Sequence, residues 1–350
     1  MHGLTNQRLA FFLGGSLFGA LITIGLTRPK ANAPVVVPTP TSPPPPPPSP
    51  PKDRLPPKPP VPTTKPTLPI GNAELLKSLQ MLGFPGPVAD TRNHSAYVSN
   101  WNRQLRNPNW VFEHLTRDNI RRPAKDGKDD PDRTHSNFRE DKNIPPTFRS
   151  LLKDYFKSGY DRGHLVPAAD AKRSQEAMDE TFLLSNISPQ VGQGFNRDYW
   201  AYFETFTRRL TKHFSDVYVF TGPLYLPKPI PGSPGRFKLE FEVIGSPPNV
   251  AVPTHFYKVI AVKDAQGVYA LEGFVLPNAV IPDKAPLTSF VTPVDAIEKA
   301  AGLTFFDNMP QLRDPRLTVS LCSTTQCSLT ESQLYIDAIK KKKALNPPQA

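Results

Sequence analysis

Acidic residues are missing from the first 52 positions of this 350-residue chain, and the whole sequence holds only two cysteines. Cys322 and Cys327 have four residues between them and no histidine after them, so they cannot build a zinc site unaided. They fit a small-loop disulfide in an oxidising compartment or a pair of reduced thiols elsewhere, and the sequence leaves both readings open. None of the seven histidines pairs at HxxxH or HExxH spacing, which removes the two-histidine zinc helix. A GxSxG elbow and a GxxxxGKS/T phosphate loop are also absent. Acyl transfer by that route and P-loop nucleotide hydrolysis therefore lose their usual support. No internal repeat is visible.

What is present begins with "LAFFLGGSLFGALITIGLT", Leu9 to Thr27, an uncharged run flanked by Arg8 and Arg28. Nineteen uncharged residues can just cross a bilayer core as a helix. A cleaved secretory signal, with "ANA" at Ala31–Ala33 as its small-residue site, a mitochondrial address and a plain membrane anchor all compete for it. The expectation is a membrane-tethered or membrane-sorted protein. From Pro34 to Pro69, 18 of 36 residues are proline, six of them consecutive from Pro43 to Pro48. Such a segment lacks N–H donors and has φ fixed, so it predicts an extended, semi-rigid spacer. A partner that docks on PxxP segments is the alternative use of that arm.

The net charge of +11 invites a nucleic-acid reading, so its location matters. Residues 1–70 carry a net +6 and residues 337–350 a net +3, leaving only +2 for 71–336. The basicity sits mainly in the tails and says little about the core. Within the core, Arg117, Arg121, Arg122, Lys125 and Lys128 cluster, but Asp126, Asp129, Asp130 and Asp132 dilute them.

Residues 1–30 read as a targeting or transmembrane segment, 31–70 as the spacer, 71–330 as one globular domain and 331–350 as a basic tail. The domain predicts an α+β fold. Its strand candidates are Val217–Leu226, Phe237–Gly245, Thr254–Val262 and Val268–Pro277, rich in β-branched and aromatic residues and bounded by Gly or Pro. Helix candidates are Asn72–Gly83, capped by Asn72 and stopped by Gly83, and Pro293–Gly302. Strands and helices do not alternate, so a mixed or antiparallel sheet with flanking helices is expected rather than a doubly wound one. "FNRDYWAYFETFTRRLTKHF", Phe195 to Phe214, shows an apolar face at Phe195, Tyr199, Phe203, Phe206 and Leu210. On a continuous helix Asn196 and Glu204 would share one edge, roughly 12 Å apart. A plainer reading makes Asn196 a cap and Glu204 a solvent carboxylate.

"YDRGHLVPAAD", Tyr160 to Asp170, packs an aspartate, an arginine, a glycine and a histidine into one run that suits neither strand nor helix. An imidazole takes a proton from water near neutral pH, and a guanidinium grips phosphate through paired N–H donors. With one hard cation on an oxygen ligand and waters, this is a constellation for phosphodiester hydrolysis. The bland alternative pairs Arg162 with Asp161 and makes His164 a satisfied structural histidine.

"DRGH" at Asp161–His164, "AMDETFLLSNISPQ" at Ala177–Gln190 and "FNRDYWAYFE" at Phe195–Glu204 together resemble the DNA/RNA non-specific endonuclease family, endonuclease G branch. "FRED" (Phe138–Asp141), "TGPLYLP" (Thr221–Pro227), "VAVPTHFYKV" (Val250–Val259) and "FVLPN" (Phe274–Asn278) extend the resemblance in order over roughly 72–330. "VPAADAKRSQ" and the cysteine pair are most similar to the fungal mitochondrial nucleases of this branch.

The resemblance implies a ββα-metal finger in which His164 is the general base and Asn196 the direct ligand of one Mg²⁺, with Mn²⁺ able to substitute. It implies that Glu204 holds the ion through water, that Arg162 steadies the phosphate, and that Asp161 orients nearby groups. Ala168 and Ala169 would leave room for a nucleic-acid backbone. It further implies cleavage of DNA and RNA with little sequence preference, 5′-phosphate products and a homodimer. The implied address is the mitochondrial inner membrane, held through residues 9–27, with the domain in the intermembrane space and release needed to reach nuclear DNA. A rival reading is a membrane-tethered nucleic-acid-binding protein without activity. Another is a scaffold whose proline arm recruits partners.

Overall fold

The computed structural model describes residues 72–84, 90–121, 130–314 and 316–345. The apolar run Leu9–Thr27, the proline spacer and the Arg122–Lys128 part of the basic cluster lie outside the described residues. Among the described residues no helix is long and apolar enough to cross a membrane.

The strands are β1 Thr91–Asn93, β2 Val98–Asn102, β3 Asn107–Leu115, β4 Asp161–His164, β5 Ile187–Gln190, β6 Asp216–Leu224 and β7 Lys228–Pro229. They continue as β8 Phe237–Lys238, β9 Val243–Ile244, β10 Val250–Ala251, β11 His255–Lys263, β12 Tyr269–Pro277 and β13 Val319–Ser320. The α-helices are α1 Ala73–Leu82, α2 Leu152–Tyr155, α3 Gln175–Glu180 and α4 Tyr199–Arg209. After them come α5 Val294–Ala301, α6 Pro310–Arg313, α7 Leu321–Thr324 and α8 Thr330–Leu345.

Seven strands form one sheet in the order β1-β2-β3-β6-β11-β12-β13. Every pair is antiparallel except β12–β13, so the fold is the mixed α+β type that the strand pattern implied. Register fixes which side chains share a face. Thr221 of β6 stands opposite Lys258 of β11 and Val111 of β3, and Glu113 lies one step along that face. This face receives α4: Trp200 and Phe195 meet Phe256, and Phe203 meets Phe274 at 5.1 Å between ring centroids. The opposite face, with Phe220 and Tyr257, packs on Phe305 and Phe306. Fully burying one such ring contributes about 1.5–3 kcal/mol, so α4 is held to the sheet mainly by its aromatic stripe.

Local chemistry explains the ends of the first helix. The Asn72 Oδ1 accepts the Leu75 N–H at 3.0 Å, and Gly83 takes φ +91° where the chain leaves α1. Three expectations need correction. Asp161–His164, poor strand material by residue type, is strand β4, held by its pairing with β5. Phe237–Gly245 is not one core strand: only β8 and β9 are paired, each in a two-stranded ribbon, and Phe237, Leu239 and Val243 are exposed. Phe195–Phe214 is not one helix either. Gly194 adopts φ +80°, so Gly192–Asn196 forms a distorted turn and α4 begins only at Tyr199. Asn196 and Glu204 therefore do not share the edge of a continuous helix.

At the C-terminal end Cys322 and Cys327 form a disulfide. Beyond it α8 packs along α4, tied by an Arg209–Glu331 ion pair and by Lys340 Nζ on Asp198 Oδ1 at 2.6 Å.

Candidate active site

A hairpin and a helix build the site. Strands β4 and β5 pair Asp161 with Gln190 and His164 with Ile187. Gly163 sits where the Gln190 side chain crosses, and a Cβ there would come within 2.1 Å of it, so any other residue would force Gln190 to move. The chain then makes the Gly192–Asn196 turn and enters α4, completing a ββα unit. Asn186 braces the loop after His164: its Oδ1 accepts from Val166 N at 3.0 Å, and its Nδ2 donates to the carbonyls of Val166 and Thr181.

His164 is buried between aromatic rings, with Phe182 at 4.7 Å edge-on and Phe138 at 5.3 Å. Burial, reinforced by the charge of Arg133, lowers its pKa to about 3, so the imidazole is neutral at physiological pH. Its Nε2 is buried without a hydrogen-bond partner. A satisfied structural histidine would not look like this. Arg162 is exposed, and its guanidinium lies 4.5 Å from the centroid of Phe138, the ring that also touches His164.

Asp161 does not pair with Arg162. Its carboxylate accepts from Arg197 Nε at 2.7 Å and Nη2 at 2.5 Å, and from Asn196 Nδ2 at 2.9 Å. Burial alone would raise this carboxyl, but the Arg197 and Asn196 hydrogen bonds outweigh it and hold it below the usual range. The clamp has a consequence for Asn196. With its amide N–H donated to Asp161, the group Asn196 has left to offer is its amide oxygen, a ligand that hard cations accept. Among the described residues no three His, Cys, Asp or Glu side chains gather as a metal cage. The donor set therefore fits a Mg²⁺-like ion that keeps most of its waters, and does not fit a zinc site. Asn196 is the residue that would hold such an ion directly.

Glu204, half-buried on α4, has a pKa raised to about 7 by burial, against the opposing charges of Lys258 and Arg208. It is not a plain solvent carboxylate. Behind it lie Asp170, ion-paired to Arg208, and the buried Glu113 and Lys258. Sequence reading missed this charged layer, as well as Phe138, Phe182 and Arg197 as neighbours of the site. A period-2 count along β11, which puts Lys258 on the core face, was the available signal for the lysine. A cavity of about 990 Å³ lined by Arg92, His94, Arg139, Asp141 and Glu180 lies elsewhere; none of His164, Arg162, Asn196 or Glu204 lines it.

Comparison with known proteins bears on the family and the fold. The profile of the DNA/RNA non-specific endonuclease family matches residues 77–312. The chain is 46% identical over 275 residues to the Mitochondrial nuclease of Saccharomyces cerevisiae, covering 76% of this chain and 80% of that one. It is 51% identical over 263 residues to a nuclease of Syncephalastrum racemosum, covering 74% and 79%. It is 41% identical over 251 residues to Endonuclease G, mitochondrial, of Caenorhabditis elegans, covering 72% and 76%. The fold superposes with a TM-score of 0.63 on a chain of the EndoG/EndoGI complex crystal structure, at 46% identity, covering 67% of this chain and 92% of that one. The chain belongs to the DNA/RNA non-specific endonuclease family.

Proposed function

We propose that this protein is a mitochondrial, sugar-non-specific endonuclease that hydrolyses DNA and RNA phosphodiesters with one Mg²⁺ (or Mn²⁺) and leaves 5′-phosphates. The observation that carries the reading is a buried imidazole with an unpartnered nitrogen, in one ββα unit with an asparagine whose amide N–H is held by Asp161. His164 takes a proton from water, whose oxygen attacks phosphorus in line. The P–O3′ bond breaks, the 3′ oxygen leaves as a hydroxyl after taking a proton, and the phosphate stays on the 5′ side. Asn196 directly, and Glu204 through water, would hold the cation, which when bound would stabilise charge on the phosphate as a Lewis acid. Arg162, exposed and 4.5 Å from the Phe138 ring centroid, would grip a backbone phosphate, and contacts of that kind carry no base specificity.

The names of the mitochondrial relatives support a mitochondrial address. Residues 1–30 would target or anchor the chain in the inner membrane, 31–70 would hold domain 71–330 off the surface in the intermembrane space, and 331–350 would add a basic tail. Release from that membrane would precede any action in the nucleus, and the proline arm would be the docking segment for a partner that binds PxxP. The purified full chain is expected to nick supercoiled plasmid and degrade RNA with Mg²⁺, to stop in EDTA, and to leave ends that ligase joins without kinase treatment. Metal-independent cleavage, or ends that need a kinase, would contradict the proposed chemistry.

The homodimer of this reading has a candidate surface. In "RFKLEFE", Arg236 to Glu242, charges and apolar residues alternate, and Phe237 and Leu239 are 62% and 55% exposed. Antiparallel pairing of two copies about Leu239 sets Phe237 against Phe241, Lys238 against Glu240 and Arg236 against Glu242. The pattern is self-complementary, as an isologous twofold contact requires. Leu239→Arg, which would set two like charges face to face on the axis, is expected to convert the dimer to monomer in sedimentation velocity. A dimer unaffected by it would place the interface elsewhere.

A further inference from the structure

Lys258 is an unusual residue to find in the middle of a core strand. It is 1% exposed on β11, on the sheet face that receives α4. Its Nζ donates to Thr221 Oγ1 at 2.8 Å and lies 5.0 Å from the centroid of the Trp200 ring. Trp200 is fully buried on α4, four residues after Asn196 and four before Glu204. Its indole N–H in turn donates to the His164 carbonyl oxygen at 3.4 Å.

A buried ammonium costs stability unless its charge is answered, and an apolar side chain of similar volume would avoid that cost. Burial does lower the Lys258 pKa, opposed by the negative charge of Glu113, Glu204 and Asp170. Placed against the face of an indole, a cation gains an attraction that methionine lacks and that depends on where the ring stands. Trp200 thus has two fixed contacts, the ammonium on its face and the His164 carbonyl at its edge. They join the strand bearing the base to the helix turn between the two metal-side residues.

We propose that Lys258 is a positioning residue for phosphodiester cleavage: through Trp200 it sets the His164 backbone in register with the stretch from the Asn196 turn to Glu204 on α4. The proposal rests on the roles given above to His164 and Asn196. A structural lysine alone would affect folding and leave turnover untouched in whatever folds. A positioning lysine acts on kcat, because loss of alignment by about 1 Å can cost about 10²-fold.

The test is a cycle of Lys258→Met, Trp200→Phe and the double variant in the full chain. Each is read for kcat and KM on supercoiled plasmid with Mg²⁺, DNA affinity in EDTA, and Tm. Lys258→Met is expected to lose about 30–100-fold in kcat with KM and DNA affinity within about twofold, and Trp200→Phe to lose about tenfold. The double variant should fall no further than Lys258→Met, because the two side chains act as a unit. Losses that multiply, or a Lys258→Met kcat within about threefold of wild type, would overturn the proposal. If Lys258→Met does not fold, the isosteric Thr221→Val removes the acceptor that orients Nζ. That variant should fold with a lower Tm and lose about three- to tenfold in kcat, and an unchanged kcat would overturn the proposal. A wild-type chain without metal-dependent cleavage would instead overturn the proposed function.

Discussion

His164→Ala is expected to slow plasmid nicking by about 10²–10⁴-fold while leaving DNA affinity in EDTA nearly unchanged. The imidazole is walled by Phe138 and Phe182, and its buried Nε2 has no hydrogen-bond partner, so its lone pair is not committed to the protein. Alanine leaves a space lined by those rings, and added imidazole should restore part of the rate through its neutral form. The rescue should therefore grow as pH rises through 7. Stability should respond as well. An ordinary imidazole titrates near 6.5, whereas His164 resists protonation to about 3. Across that window the unfolded chain binds more protons than the native one, so His164 makes stability fall as pH drops from about 6.5 toward 3. The alanine variant should show a shallower acid slope in urea midpoints. Undiminished cleavage by His164→Ala would move proton transfer to another group.

The outer frame of this fold was legible because its signals are local. Asn72 and Gly83 bracket α1 by capping chemistry, and three of the four strand candidates are β6, β11 and β12 to within about two residues. The fourth failed for a physical reason. "FKLEFEVIG" alternates correctly, but alternation does not say whether a strand finds a neighbour, and within one chain Leu239–Phe241 finds none. Apolar period 3.6 survives a kink, so the pattern alone extends the helix back to Phe195. Gly194 at φ +80° and the Asp198 carboxylate accepting its N–H at 2.7 Å leave the turn separate from α4.

The candidate site was readable as a motif but not as a geometry. "DRGH" put Asp161 next to Arg162, and adjacency in sequence suggested a pair. In a strand neighbours point to opposite sides, so Asp161 meets Arg197, 36 residues on, while Arg162 goes to Phe138. The charged layer of Glu113, Asp170, Lys258 and Arg208 is assembled from β3, the loop after β4, β11 and α4. No window of sequence contains it. Burial and Asp170 drive the Glu113 carboxyl well above the usual range, an effect that exists only once those elements pack.

Asn196→Ala should cost about 10²–10³-fold in nicking, chiefly as a higher Mg²⁺ requirement, because it removes the amide oxygen proposed to hold the ion. Asn196→Asp should be nearly as poor, although aspartate is a better cation ligand in isolation. The Asn196 amide lies 2.9 Å from Asp161 Oδ2, and two carboxylates at that distance cannot both ionise readily. The exchange Asp161→Asn with Asn196→Asp restores one donor and one acceptor, and should recover at least about tenfold over Asn196→Asp alone. Mn²⁺ binding by calorimetry separates loss of the ion from loss of chemistry. Glu204 adds a pH signature: with its pKa near 7 before an ion binds, a cation favours its charged form, and binding must displace its proton. The Mg²⁺ concentration for half-maximal nicking should rise as pH falls below 7, by up to about tenfold per unit. The acid limb of the rate profile should then move to lower pH as Mg²⁺ is raised. A limb that stays fixed at every Mg²⁺ concentration would detach Glu204 from the ion and leave Asn196 as its sole side-chain contact.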